Sequence, residues 1–419
     1  MSRSQFWVRV GSAVIAIALA IALASSAVAG RFPLWLRSAA SPADPGRTRP
    51  AAAGAASASP APSPTASPGA SQPARPSAAL PAMSLQQMAG QRVIYSYHGL
   101  TPPAELLQLI SHGEVGGVIF FGHNISSPAQ LAKVVAELDQ ANASPFNPVR
   151  EPLLLMTDQE GGLVRRLPGA PFLSELQIGE SADPAAAAAS AGREAGLNLR
   201  GVGMNTNLAP VLDVYRQPGD FDDQYQRSYS MDPAVVAELG ADFIAAQQLA
   251  GVAATAKHFP GLGAAAQSQN TDDQPVTLNL PLATIRNTDE LPYKAAIAAG
   301  VKLVMVSWAV YPALDPGRPA GLSATIVDGE LRQRLGFQGV TITDALEAGA
   351  LRGYGTIQNR GLLAAEAGMD LILCSAQNVG EGEQATAGLE DGYRDGRLGR
   401  QAFTAALRRV LALRESLPG

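Results

Sequence analysis

The chain has little cysteine, little histidine and little net charge. One cysteine, Cys374, among 419 residues excludes an intramolecular disulfide and any cysteine-based metal site. Four histidines are present: His98, His112, His123 and His258. The net charge of −5 comes from charges of both signs spread along the sequence, which leaves no basic footprint for nucleic acid. No GxGxxG follows the first apolar run of the folded part, so the fingerprint of a dinucleotide-binding sheet is missing.

The length, with 47% hydrophobic residues, allows one large domain or two ordinary ones. At the N-terminus, Arg3 and Arg9 precede an uncharged, Ala/Ile/Leu-rich run over residues 10–30. It ends in Ala27-Val28-Ala29, a small-residue pattern that suits signal-peptidase cleavage, and it is nearly long enough to span a bilayer uncleaved. Residues 1–30 therefore read as a signal peptide or a membrane anchor. Basic residues on the N-terminal side place the rest of the chain outside the membrane either way. No cysteine lies near the cleavage point, which excludes a lipoprotein anchor there. Residues 31–83 are dominated by Ala, Pro and Ser, and from about Ser38 to Ala82 they have almost none of the large apolar side chains that offset ordering entropy. They read as a disordered, proline-extended linker.

Residues 84–419 read as a single folded domain. Ser84 is placed to cap a short helix beginning "LQQMAGQ". Eight short apolar runs follow: "RVIYSYHG", "GGVIFFG", "PLLLMTD", "MNTNLAP", "VAATAKH", "KLVMVSW", "GVTITDA" and "MDLILCS". Most are continuous rather than alternating, as strands buried on both faces are. Helical stretches such as "SPAQLAKVVAELDQA" separate them, several ending in glycine. The pattern predicts an α/β fold of the (β/α)8 TIM-barrel type, with an open doubly wound sheet as competitor. A barrel places its chemistry at the C-terminal ends of its strands. Asp158, the Lys257-His258 pair, Ser307-Trp308 and Asp344 all fall at such ends. Each has a bland alternative: Asp344 would serve as well to cap the following helix, and Lys257 to pair with a structural carboxylate. Their convergence on one rim argues for a site.

The blocks "TDQEGGLVRRL", "NLAPVLDV", "RSYSMDP", "AKHFPGLG", "VMVSWAVYPALDP" and "LSATIVDGELRQRLGFQGVTITDAL" carry a resemblance. In this order they resemble the single-domain bacterial β-N-acetylglucosaminidases (β-N-acetylhexosaminidases) of glycoside hydrolase family 3, over nearly all of the domain. The resemblance implies a TIM-like barrel and a retaining, metal-free hydrolysis of terminal β-linked N-acetylglucosamine, with no cofactor. It assigns Asp344 as nucleophile, a role a carboxylate fills by attacking the anomeric carbon and leaving again when water arrives. It assigns Asp158, Arg166, Arg227, Lys257 and His258 to the sugar hydroxyls, which a carboxylate accepts and a guanidinium fork donates to. Cationic neighbours would also keep the pKa of Asp344 low.

One segment departs from the family pattern. After KHFPG, the single-domain members carry an Asp-Ser-His segment whose histidine is the general acid/base. Here the stretch reads "AAAQSQNTDD", with Gln269 or Asn270 near the expected histidine and Leu262 in place of another. His98 and His123 follow apolar runs and could face the rim, but they match no acid/base of the family. General acid catalysis typically contributes about 10²–10⁴-fold, so a donor is wanted. Asp272 and Asp273 are the nearest candidates, against the simpler reading that both are solvated loop carboxylates. The sequence thus predicts a metal-free, extracytoplasmic exo-glycosidase that acts on β-N-acetylhexosaminides of cell-wall or chitin type. It is expected to be monomeric, to bind no nucleic acid, and to meet the membrane only through residues 1–30. The alternatives are a surface glycan-binding barrel with weak or no catalysis, and the same barrel acting on β-glucosides.

Overall fold

The computed structural model describes residues 80–418. The signal or anchor segment, 1–30, and most of the expected linker lie outside the described residues. Each apolar run supplies one strand: β1 Val93–Tyr95, β2 Gly117–Ile119, β3 Leu154–Thr157, β4 Thr206–Asn207, β5 Ala253–Phe259, β6 Leu303–Val306, β7 Val340–Thr343 and β8 Ile372–Leu373. Every pairing between neighbours is parallel. The order is β7-β6-β5-β4-β3-β2-β1-β8, and a parallel bridge between Ile342 and Leu371 joins its two ends. The sheet therefore curls round onto itself as a (β/α)8 barrel, which removes the open-sheet alternative.

The continuous apolar runs follow from this closure. Successive side chains of a strand point to opposite faces. Ile94, Ile119, Leu154, Met156, Leu303, Met305, Val340 and Ile342 pack together inside the barrel. Their neighbours Val93, Tyr95, Val118, Leu155, Val304 and Val306 pack outward against helices. Burying such a Val, Leu or Ile side chain contributes roughly 1.5–3 kcal/mol, so both faces of each strand must be apolar.

One flanking helix follows each strand: α1 Ala104–Ser111, α2 Pro128–Asn142, α3 Pro184–Arg200, α4 Pro233–Leu249, α5 Leu291–Ala298, the π-helical α6 Thr325–Arg334, α7 Ile357–Glu366 and α8 Val379–Arg394. Their starts are written in the sequence. Ser127, Asp183 and Asp232 each accept a backbone N–H of the first turn, with proline at the first helical position. Ser84 forms the expected cap, sharing reciprocal bonds with Gln87. A last helix, α9 Arg400–Glu415, adds Val410 and Leu413 to the interior cluster. Its buried Arg414 donates to the carbonyls of Glu151 and Pro152, ahead of β3. Leu80 and Met83, at the end of the expected linker, pack beside Leu407 and Leu411 of α9. With α9 across the bottom, the C-terminal ends of the strands are the free rim. Among the described residues, no helix is long and apolar enough to cross a membrane.

Candidate active site

A cavity of about 560 Å³ opens on that rim. Asp158, Arg166, Arg227, Lys257, His258, Asp272 and Asp344 line it, while Asp273 does not. Seven of the eight residues singled out from sequence therefore meet in one place.

The first wall rises from β3. Asp158 follows the strand, and a small hairpin, Gln159–Gly161 paired with Val164–Arg165, carries the chain to Arg166. Buried Gln159 builds this hairpin. Its side-chain oxygen accepts the N–H groups of Arg166 and Leu167, and its amide donates to the carbonyls of Leu167 and Ala170. Gly161, at φ 124°, could not carry a side chain, because a Cβ would stand 2.2 Å from the Leu173 carbonyl oxygen. The DQEGG block thus holds Asp158 and Arg166 on one short frame, with Arg166 Nε 3.9 Å from the Asp158 carboxylate.

The second wall is the end of β5. Lys257 is buried and donates to Asp158 at 2.8 Å, and its Nζ lies 2.7 Å from Glu160. Arg227 clamps Glu160 through Nε and Nη2, both at 2.9 Å, and donates Nη1 to Asp222 at 3.2 Å. Burial alone would raise the carboxyl pKa values of Glu160 and Asp158. Arg227 and Lys257 outweigh it at Glu160 and hold it near 2, while Lys257 and Arg166 hold Asp158 below its usual range. Both are therefore anions at neutral pH, and Asp158, which lines the cavity, can accept hydroxyl hydrogens.

His258 behaves differently. Its Nδ1 lies 2.7 Å from Asp213 Oδ2, and Asp213 also accepts the N–H groups of His258 and Leu262. Burial, and then the Arg227 charge, push the imidazole down to about 4. A neutral ring that donates from Nδ1 to Asp213 presents Nε2 as an acceptor. Asp213 and Asp222, drawn up to about 6 and about 7 chiefly by burial, complete this layer. Asp213, Asp222 and His258 are close enough to surround a cation. Asp213 and His258 engage each other and backbone N–H groups, Arg227 donates to Asp222 Oδ1, and Asp222 Oδ2 is buried without a hydrogen-bond partner.

The third wall joins β7 to the loop after β5. Asp344 ends β7, its Oδ1 accepting the Ala345 N–H at 2.7 Å. Buried Trp308 donates from Nε1 to the Ala345 carbonyl at 2.8 Å and so braces the same turn, though neither Ser307 nor Trp308 reaches the cavity. The loop is docked against this turn by two backbone bonds: Gly349 N–H to Asp272 O at 2.6 Å and Ala350 N–H to Thr271 O at 3.0 Å. Gly349 makes the approach possible, since a Cβ there would meet the Asp273 carbonyl oxygen at 2.2 Å. Asp272 consequently lines the cavity with Asp344. Asp273, its sequence neighbour, turns into the loop and accepts the Asn270 side-chain amide at 2.8 Å.

The expectation that cations keep the Asp344 pKa low is overturned. It is raised, first by burial and then by the negative charge of Asp272, with His258 and Lys257 only partly offsetting them. The cause lies in the second wall, where Lys257 and Arg227 are already paired with carboxylates. Asp272 is raised as well, by burial and by Glu347 and Asp273, against Arg227.

Sequence reading missed Glu160, Asp213, Asp222 and Glu347 as site residues. The first two lie inside quoted blocks, DQEGG and NLAPVLDV, where a block position beside a recognised residue was the available signal. Glu347 lines the cavity and accepts the Ser375 hydroxyl at 2.7 Å. No sequence signal marks Asp222.

The model of the glycosyl hydrolase family 3 N-terminal domain matches residues 83–413. An uncharacterized secreted glycosyl hydrolase of Arthroderma benhamiae is 46% identical over 338 residues, 80% of this chain and 95% of that one. A beta-hexosaminidase of Xylella fastidiosa is 34% identical over 299 residues, 69% of this chain and 85% of the relative. Among solved structures, a family 3 β-N-acetylglucosaminidase of Paenibacillus sp. superposes with a TM-score of 0.75 at 35% identity. That match covers 80% of this chain, and the chain spans 63% of the Paenibacillus protein.

Proposed function

The chain belongs to glycosyl hydrolase family 3, and we propose that it is a retaining exo-β-N-acetylglucosaminidase in which Asp272 stands where a histidine general acid/base was expected. The observation that carries this reading is the docking of the loop on the β7 turn, which sets the Asp272 carboxyl in one cavity with Asp344.

The sugar is held by the paired wall: Asp158 and His258 accept hydroxyl hydrogens, and Arg166 donates. Asp344 attacks the anomeric carbon while Asp272 gives its proton to the departing glycosidic oxygen, so the alcohol leaves neutral and an ester forms on Asp344. Asp272, now a carboxylate, takes a proton from water. The resulting hydroxide displaces Asp344 from the same carbon, and both carboxyl groups return to their starting states. Burial and like-charge neighbours favour the protonated acid that this cycle needs. The N-acetylglucosamine assignment rests on the name of the Paenibacillus relative, and that of the Xylella relative supports the wider hexosaminidase class.

The Arthroderma relative's secretion and the N-terminal sequence favour an extracytoplasmic enzyme. In this reading residues 1–30 are its signal or anchor, 31–83 its linker and 84–419 its single, monomeric catalytic domain. Its substrates are cell-wall or chitin-type glycans.

The test is a pair of leaving groups. Asp272→Ala should lower kcat on methyl β-N-acetylglucosaminide by about 10²–10⁴-fold, yet keep kcat/KM on the nitrophenyl glycoside within about tenfold, because nitrophenolate leaves without a proton. Asp273→Ala should change both by no more than a few-fold. Wild-type turnover of the methyl glycoside by Asp272→Ala would remove the assignment and turn attention to Glu347. Release of nitrophenol from the β-glucoside but not the N-acetylglucosaminide would move the substrate. No release from either would leave a glycan-binding barrel.

A further inference from the structure

Three of the four histidines stand outside the network described above, and two of them meet each other. His98 lies in the turn after β1 and His123 in the turn after β2, and both are exposed. Their rings stack, with centroids 5.3 Å apart and 21° between planes. His123 stacks in turn on Phe121, at 5.8 Å and 10°. Phe121 is part of the cavity wall. A column of three flat rings therefore leads from the cavity out to the rim.

The column is held in place. Fully buried Asn124 donates its side-chain amide to the carbonyls of Tyr97, at 3.0 Å, and Gly99, at 2.8 Å, which flank His98. Its Oδ1 accepts the Phe121 N–H at 2.8 Å. One side chain thus fixes both turns. At the far end His98 Nδ1 meets the Gln377 side chain at 3.4 Å, and Gln377 also lines the cavity. Exposed rings contribute little to a core, so the order of this column has no evident purpose in folding.

Its place in the ring of strands supplies one. The hydroxyl-binding groups stand at β3, on the hairpin after it and at β5, centred on β4. The strand opposite β4 in an eight-strand ring is β8; the column belongs to β1, which pairs with β8, and to β2, which lies between β1 and β3. Asp344, on β7, stands beside β8. A sugar held by Asp158 and Lys257 with its anomeric carbon at Asp344 leaves the β8 and β1 side of the cavity, where Phe121 and Gln377 line the wall, for its leaving group.

We propose that Phe121, with His123 and His98 stacked behind it as its support, forms a stacking platform for the pyranose on the leaving-group side of the scissile bond. The proposal rests on the glycosidase reading above and deepens it: the substrate is a chain of β-linked sugars, not a small alkyl glycoside. The C–H face of a pyranose suits the electron-rich face of such rings. A platform that stacks rather than hydrogen-bonds accepts successive sugars with little regard to their hydroxyl pattern.

The experiment compares two substrates in the full-length protein. N-acetylglucosaminyl fluoride has a leaving group too small to touch the platform, whereas N,N′-diacetylchitobiose has a sugar there. The readout is the ratio of kcat/KM on the disaccharide to that on the fluoride. Phe121→Ala and His123→Ala should each lower this ratio, by about tenfold and about threefold, and His123→Phe should restore it. Because His123 is exposed, its variants keep the test valid if Phe121→Ala fails to fold. A wild-type enzyme that cleaves both substrates, with the ratio unmoved in His123→Ala, overturns the platform alone. A wild-type protein that cleaves neither overturns the glycosidase reading and the platform with it.

Discussion

Two walls of one cavity follow opposite electrostatic plans. On the β3 and β5 side, opposite charges meet: Lys257 touches Asp158 and Glu160, and Arg227 touches Glu160 and Asp222, none of these contacts longer than 3.2 Å. The titrations of Glu160 and Lys257 are driven outward, down to about 2 and upward, while Asp222, outside the cavity lining, is drawn up to about 7 by burial. On the β7 side, carboxyl groups gather: Asp344, Asp272 and Glu347 line the same space, and Asp344 and Asp272 are drawn upward. Groups of fixed charge can hold hydroxyls but cannot exchange a proton near neutral pH. Groups pushed toward neutral pH can. In the proposed reaction this difference divides binding from chemistry inside one pocket.

The division makes its largest prediction at Asp344. Asp344→Ala should lower kcat/KM by about 10⁴-fold or more on aryl and alkyl glycosides alike, since no leaving group compensates for a missing nucleophile. Calorimetry should show affinity for N-acetylglucosamine within about tenfold of wild type, because the paired wall is intact. Retention of a tenth of wild-type turnover would place the nucleophile elsewhere.

The paired wall should fail differently. Lys257→Met leaves Glu160 and Asp158 each short of a partner inside the protein. Removing one member of a buried ion pair costs about 3–5 kcal/mol, to be read from urea unfolding at neutral pH. Glu160 titrates near 2 when folded and near its ordinary 4.5 when unfolded. A depressed carboxylate contributes its full stability above the unfolded value and loses it as pH falls through the folded one. The gap between wild type and variant should therefore narrow as pH drops from 4.5 toward 2. A gap under about 1 kcal/mol at neutral pH would mean the wall tolerates the lost charge.

These walls were not equally legible in the sequence. The eight strands were, because burial on both faces writes a continuous apolar run. The ends of β3, β5 and β7 were, because a polar residue closing such a run stands out. The pairing of charges was not. Arg227 and Glu160 are 67 positions apart, and only closure of the barrel brings them together. Nor could sequence choose between Asp272 and Asp273. Adjacent residues of one turn face opposite ways, and here the choice is made by Gly349, from another strand's turn, which admits the loop where a side chain would clash. The low pKa expected for Asp344 failed for the same reason: the cations are near it, but other carboxylates already hold them.

A last and smaller effect probes the carboxyl wall itself. The acidic limb of kcat/KM on an aryl glycoside reports ionisation of the nucleophile in the free enzyme, with little demand on the acid. Asp344 is raised by burial and, next, by the charge of Asp272. Asp272→Asn keeps the shape and removes the charge. A like charge disfavours ionisation, so its loss must lower the Asp344 pKa and move the acidic limb to lower pH. Burial remains, so the limb should stay above that of an ordinary aspartate. Glu347→Gln should leave the limb near its wild-type place, since burial and Asp272 lead the causes at Asp344 and Glu347 is not among them. An acidic limb left in place by Asp272→Asn would show that Asp272 carries no charge where Asp344 ionises, and the electrostatic coupling of the two carboxyls would fall while the proton transfer would stand.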